Sequence, residues 1–283
     1  MTGERCADLS ELAGEPISAT ATYAENWLLL EVRGTWPRDV SDLTGLDDPA
    51  REAITSWLEE TPASKLLFIR RPGGNRGELQ RAFVVRAAER EVAVRRFDFD
   101  DFAALAGADL ANGGVALDSQ LVLVCAHGTR DACCALRGSA VFGVLEGHVA
   151  PDDLWLSSHQ GGHRFAANVL VLPGGIQLGR LSAANAAEVV TAALDGRISL
   201  AHYRGRTSYP ARVQAAERAI RESRHLTGAG DLELVEDDGS SVRFVDADGT
   251  EHAAVPEDTA GPSVPASCGA EPEPQKHLAA RLA

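Results

Sequence analysis

LVLVCAHGTRDACCALRG at residues 121–138 and WLSSHQGGHRFAANVLVLPGGIQLGRL at residues 155–181 decide how the chain reads. Three of the five cysteines (Cys125, Cys133, Cys134) and three of the eight histidines (His127, His159, His163) fall within them. LVLVC is a short continuous apolar run, the pattern of a buried strand, with Cys125 as its last residue. After the loop AHGTRD, Asp131 is placed to cap a helix through CCALRGSAVFGVLEG, with Leu136, Ala140, Val141, Val144 and Leu145 on one side. DDLWLSS reads as a second strand and HQGGHRF as a glycine-bearing loop. ANVLVLP and IQLGRL form a hairpin turning at Gly174 and Gly175, and NAAEVVTAALDG supplies the next helix.

That order of strand, helix, strand, hairpin, helix is the plan of a thioredoxin-like domain. It is expected over residues 113–226, extended by the helix SYPARVQAAERAIRES with Pro210 near its first turn. Upstream, residues 15–112 read as a smaller α/β domain, with a degenerate thioredoxin-like copy or a partner-docking surface as its alternative readings. Its elements are the apolar strand WLLLEV, a helix from Asp47 to Glu60, the strands KLLFIRR, RAFVVRAA and EVAVRRFDF, and a helix over FDDFAALAGADL. The loop at Arg70, Arg71, Pro72, Gly73 and Gly74 reads as a solvated turn, with anion binding the sharper alternative. Downstream, residues 227–256 read as a three-stranded β-meander joined by Asp-Gly turns. Residues 1–14 are expected to be flexible, with Cys6 a bystander, and residues 257–283, rich in Pro, Glu, Ala and Ser, a disordered tail.

Composition narrows the class. Hydrophobic residues make up 45% and charged residues 24%, enough apolar surface for real cores in a soluble protein. A net charge of -14 argues against a duplex-binding surface, which needs a basic stripe, and would instead steer in a basic protein partner. No run approaches the roughly 18 to 20 apolar residues of a membrane helix, and the opening MTGERCADLSELAGEP has no apolar signal core. The expectation is a cytoplasmic protein that touches neither membrane nor nucleic acid. An odd, clustered set of five cysteines does not suit a secreted disulfide framework and points to metal or redox chemistry.

The spacing of soft ligands leaves three chemistries open. Cys125 ends a strand and Cys134 sits in the first turn of a helix, so the loop between them can bring both sulfurs to one point. His159 and His163 lie four apart, and Gly161 and Gly162 between them favour a tight loop that turns both rings toward one atom. A structural zinc site uses these ligand types, although its usual cysteine half-site is C-x2-4-C. A 2Fe-2S cluster tolerates longer spacing, and two imidazoles in place of two thiolates raise its potential. Thiol redox chemistry at Cys133 or Cys134 would draw on the helix dipole and on Arg130 and Arg137, but no C-x-x-C is present.

VCAHGTRDACCALRG, WLSSHQGGHRFAANVLVLPGGIQLGRL, WLLLEVRGTWPRDV and SYPARVQAAERAIRE together resemble the sucrase/ferredoxin-like family, whose redox module is similar to thioredoxin-like 2Fe-2S ferredoxins. In those ferredoxins four cysteines hold the cluster, the second pair as C-x3-C before the hairpin; here His159 and His163 stand at that spacing. The resemblance implies Cys125, Cys134, His159 and His163 as ligands of a 2Fe-2S cluster. Cys133 and Cys134 point about 100° apart on a helix, so only one should face the cluster, and the family pattern selects Cys134. His127 could hydrogen-bond a sulfur or hold the turn. No pair of carboxylates has a recognisable sugar-cleaving arrangement.

The function implied is a non-enzymatic electron carrier with a potential that falls as pH rises, because a ligating imidazole can lose its outer proton. Its donor and acceptor would be redox proteins or small molecules. A zinc-stapled interaction protein and a thioredoxin-type thiol protein are the alternatives.

Overall fold

The computed structural model describes residues 5–72 and 79–283. The glycines of the loop considered as an anion holder, Gly73 and Gly74, lie outside the described residues. Helix α1 (Cys6–Leu12) precedes β1 (Asn26–Glu31), α2 (Asp48–Glu60), β2 (Ser64–Arg70), β3 (Gln80–Ala87), β4 (Val92–Phe99) and β5 (Val115–Leu117). Then come β6 (Leu121–Cys125), α3 (Ala132–Leu145), β7 (Leu154–Ser157), β8 (Val169–Leu172), β9 (Ile176–Leu178), α4 (Ala186–Leu194), β10 (Tyr203–Arg206) and α5 (Ala211–Arg224). Last are β11 (Leu232–Asp237), β12 (Val242–Asp246), β13 (Glu251–Pro265) and β14 (Pro272–Leu282).

The molecule is thus a mixed α/β fold with one large sheet and one small antiparallel sheet. Ten strands run in the order β10-β9-β8-β6-β7-β2-β1-β3-β4-β5, and β11-β12-β13-β14 form the second sheet. Within the large sheet β6–β7 and β1–β2 are parallel, as a strand, crossover helix, strand sequence requires. The boundary expected near residue 112 falls between strands of this one sheet. Within the sheet the halves are joined by a short antiparallel contact between β2 and β7, pairing Ile69 with Ser157 and Arg70 with Leu156. The Ser158 amide then donates to the Phe68 carbonyl at 2.7 Å, and the Ser158 hydroxyl accepts from the Phe68 amide at 3.0 Å. This seam ends one residue before His159, so the sheet itself fixes where the histidine loop begins.

Helix α3 starts where Asp131 accepts the Cys133 amide at 2.8 Å. Its buried face is Cys133, Cys134, Gly138, Val141, Phe142 and Leu145, while Leu136 is 50% exposed and Ala140 is exposed. The stripe expected from sequence is therefore rotated. The cause is Gly138, where a Cβ would stand 2.0 Å from the Cys125 carbonyl oxygen, so the helix turns its glycine onto the strand end.

Several expectations are corrected outside the central strands. FDDFAALAGADL forms a 3-10 turn at Phe102–Gly107 rather than an α-helix. The supposedly loose N-terminus contains α1, with Cys6, Ala7 and Ser10 buried. Residues 257–283 are not a disordered tail: they complete β13 and form β14, making the expected meander a four-stranded sheet. Ala280 packs against the cluster of Tyr209, Val213, Ile220 and Phe244, and this cover on α5 provides the burial that the Pro-rich composition conceals. Among the described residues, no helix is long and apolar enough to cross a membrane.

Helix α5 carries a sealed ion pair. Arg221 Nε donates to Glu217 at 3.0 Å, Tyr203 donates its hydroxyl to the same carboxylate at 2.9 Å, and neither charged side chain is exposed. Deleting one partner of such a pair strands the other charge in the core. Glu217→Ala is expected to cost about 3 to 5 kcal/mol, read as a lowered urea midpoint at an unchanged m-value.

Candidate metal centre

Cys125 reaches the site because β6 ends there, its amide still donating to the Asn168 carbonyl at 3.0 Å. Cys134 reaches it from the first turn of α3. Both thiols are buried, and together with a ring nitrogen of His159 their ligand atoms lie within 4.8 Å of one another. The Cys134 sulfur stands 3.9 Å from His159 Nδ1. The His163 ring lies beside that of His159, with centroids 4.9 Å apart and planes inclined by 32°. Its Nδ1 is buried without a hydrogen-bond partner among the described residues, while the Ala266 backbone faces the ring. A buried nitrogen left unsatisfied is costly and calls for a partner.

The loop that holds the two histidines is positioned by side chains from distant parts of the chain. Gly161 and Gly162 take φ values of 89° and 66°, a left-handed turn that brings the two rings side by side. A Cβ at Gly161 would meet Thr22 Oγ1 at 2.5 Å, and one at Gly162 would meet Arg204 Nη2 at 2.6 Å. Arg204 donates to the Gly161 carbonyl at 2.9 Å and to Asn168 Oδ1 at 3.0 Å, while Asn168 donates to the Gly162 carbonyl at 3.0 Å. Thr22 donates its hydroxyl to the Gln160 carbonyl at 2.6 Å. Every carbonyl from Gln160 to Gly162 is therefore claimed.

His127 supports the loop with both of its ring nitrogens. Its Nδ1 accepts the His159 amide at 3.1 Å, so Nε2 carries the proton and donates to the Pro37 carbonyl at 2.8 Å. The Trp36 ring packs edge-on against it at 5.7 Å. Burial pulls the His127 pKa down, in keeping with a neutral ring fixed in one tautomer.

Electrostatics separates the two thiols. A hydrogen bond from Cys134 holds Cys125 well below the ordinary thiol range, helped by His159, and the same bond with burial pushes Cys134 up. Burial followed by the neighbouring His159 lowers His163, which favours its neutral ring. Arg204 is held down to about 9, first by burial and then by Arg164, while Cys125 and Cys134 act to raise it.

Cys133 faces away from this centre, its sulfur 3.6 Å from that of Cys6 and 3.3 Å from that of Cys268. Arg130 lies 3.9 Å from Asp39, and Arg137 bonds Asp8, Glu11 and the Ala166 carbonyl. A groove of about 590 Å³, lined in part by Thr22, Asp39, Ser41, Lys65 and Gly161, leads from the surface to half-buried His159. Sequence reasoning missed Arg204, Thr22 and Asn168. Their types carry no metal chemistry, and only the tertiary fold brings them to the loop.

Arg204 also gives a direct test of loop support. A lysine retains the charge but cannot span several acceptors with one planar fork. Arg204→Lys is expected to speed hydrogen exchange of the 159–163 amides and to cost about 2 kcal/mol, the loss of one hydrogen bond to a charged group.

No curated protein and no solved structure matches the chain significantly. The family model described as Sucrase/ferredoxin-like matches residues 17–205, which is more than half of the chain. This span takes in Cys125, Cys134, His159, His163 and the residues that support the histidine loop, and it leaves Cys6 and Cys268 outside. The chain belongs to the sucrase/ferredoxin-like family.

Proposed function

We propose that the chain is a ferredoxin-like electron carrier whose Cys125, Cys134, His159 and His163 hold a 2Fe-2S cluster. The observation that carries this reading is the convergence of two buried thiols and a His159 nitrogen within 4.8 Å, beside the partnerless Nδ1 of His163. The donor set suits the group: two thiolates and two neutral imidazoles match the ligand count of a mixed-ligand cluster. Such a cluster, when bound, takes up and returns one electron.

The chain's own part is to hold these four donors and limit access to them. Cys125 and Cys134 are sealed between β6 and α3. The two histidines are half-buried and form the side closer to solvent, where a donor or acceptor would approach. Arg204 and His127 fix the backbone of the loop, so little need rearrange at the protein surface. The field of a -14 chain favours a basic redox partner. Support for a thioredoxin-like reading of residues 113–226 comes from β6, α3, β7, the β8–β9 hairpin and α4 following in that order.

Anaerobic purification tests the reading. Red-brown protein with about two irons and matching acid-labile sulfide per chain is expected. Colourless, iron-free protein after growth and reconstitution with iron and sulfide would overturn it, whether zinc or free thiols were found at Cys125 and Cys134.

A further inference from the structure

Five cysteines exceed what the first centre uses, and the remaining three meet at a second point. Cys6 comes from α1, Cys133 from the first turn of α3, and Cys268 from the turn between β13 and β14. Their sulfurs are 3.6 Å (Cys6–Cys133), 3.6 Å (Cys6–Cys268) and 3.3 Å (Cys133–Cys268) apart. Asp131 closes the group, its Oδ1 3.2 Å from the Cys268 sulfur and both its oxygens 3.9 Å from that of Cys6. All four ligand atoms lie within 4.8 Å of one another.

We propose that Cys6, Cys133, Cys268 and Asp131 bind a structural zinc ion. Four ligands about 2.3 Å from a tetrahedral zinc stand about 3.8 Å from each other, so the three sulfurs need only spread by a few tenths of an ångström. A disulfide, at about 2.0 Å between sulfurs, would require one pair to close by more than 1 Å and would leave the third thiol buried and unused.

The surroundings suit thiolates around a cation. The amide of Ala7 points to the Cys133 sulfur and that of Cys6 to the Cys268 sulfur, the outer hydrogen bonds that orient and stabilise thiolate ligands. Asp131 is aimed by the Cys133 amide at 2.8 Å on Oδ1 and the Cys268 amide at 2.9 Å on Oδ2, with lone pairs remaining for an ion. Cys6 and Cys133 are completely buried and Asp131 is 5% exposed, while Cys268 is partly exposed and offers the route in. Binding zinc displaces the three thiol protons to solvent and sets the buried Asp131 carboxylate against a cation.

The ion would tie three segments distant in sequence to one point: the N-terminal helix, the start of α3 and the C-terminal hairpin. It would do so next to Cys134, so the staple also steadies the helix turn that serves the first centre. Cys6 and Cys268 both fall outside residues 17–205, which makes the staple a feature of this chain's own ends rather than of the matched region.

Metal analysis of the whole protein, purified and then exposed to zinc sulfate and desalted, tests the site. About one zinc per chain is expected in addition to any iron, lost in Cys268→Ser without loss of iron, whereas Cys134→Ser loses iron and retains zinc. The two centres can therefore fail separately. Zinc-edge X-ray absorption on the unmutated protein avoids any folding defect of the variants and should show three sulfurs at about 2.3 Å with one lighter ligand. Protein without zinc under these conditions, zinc bound by fewer than three sulfurs, or an intact mass two hydrogens short under non-reducing conditions would overturn the proposal.

Discussion

Cys134→Ser is expected to reduce the iron content from about two per chain to near zero, while Cys133→Ser keeps the iron and its visible absorption. The two residues are adjacent, equally buried and of one type, so composition cannot separate them. The helix does, by sending Cys134 toward Cys125 and His159, and Cys133 toward Cys6 and Cys268. Serine is close in size to cysteine but is a far poorer soft ligand, so each change removes ligation with little change in packing. Iron and sulfide assays with the visible spectrum provide the check. Iron loss in Cys133→Ser with retention in Cys134→Ser would reverse the assignment. In zinc content the two variants should behave oppositely.

The second large effect is expected from a residue that ligates nothing. Gly138→Ala should lose the iron and destabilise the protein, because the new Cβ would stand 2.0 Å from the Cys125 carbonyl oxygen. Backbone meets backbone there, and neither β6 nor α3 can yield without separating Cys125 from Cys134. Overpacking of this severity costs about 3 kcal/mol, against which a helical alanine regains about 1 kcal/mol over glycine. The net loss is about 2 kcal/mol. Gly143, in the same helix, is the control: a Cβ there meets nothing within 4 Å among the described residues, so Gly143→Ala should stabilise by about 1 kcal/mol and leave the iron unchanged. Chemical denaturation and iron assay on both variants separate a steric effect at the centre from a general effect on α3.

The contrast between Gly138 and Cys134 also shows what was legible in the sequence. The apolar run ending at Cys125, the Asp131 cap and the paired glycines of HQGGH are local signals, and each marks a real feature of the centre. Ligand types at those positions made the convergence of Cys125, Cys134 and His159 readable before any fold was known. The orientation of α3 was not readable, because Leu136 and Ala140 complete an apolar stripe as convincingly as Gly138 does not. Only the close approach to β6 decides which face turns inward.

Long-range pairing was the other blind spot. The β2–β7 seam rests on a few residues around Ile69 and Ser157, too short to leave a pattern. Residues 257–283 have the composition of a tail, and Pro272 and Pro274 argue against a central strand. Both prolines sit in β14, an edge strand, where the missing amides do little harm. Cys6 and Cys268 are 262 residues apart in sequence, and no spacing rule connects them.

The central claim is mixed ligation by Cys125, Cys134, His159 and His163. Pulsed electron paramagnetic resonance on the chemically reduced protein addresses it most directly, since a histidine bound to iron leaves a strong nitrogen coupling in the spectrum and a cysteine does not. The expected result is couplings from two histidine nitrogens, one of which disappears in His163→Cys while the paramagnetic signal persists. A reduced 2Fe-2S signal free of strong nitrogen couplings, or couplings unchanged when both His159 and His163 are replaced, would contradict it.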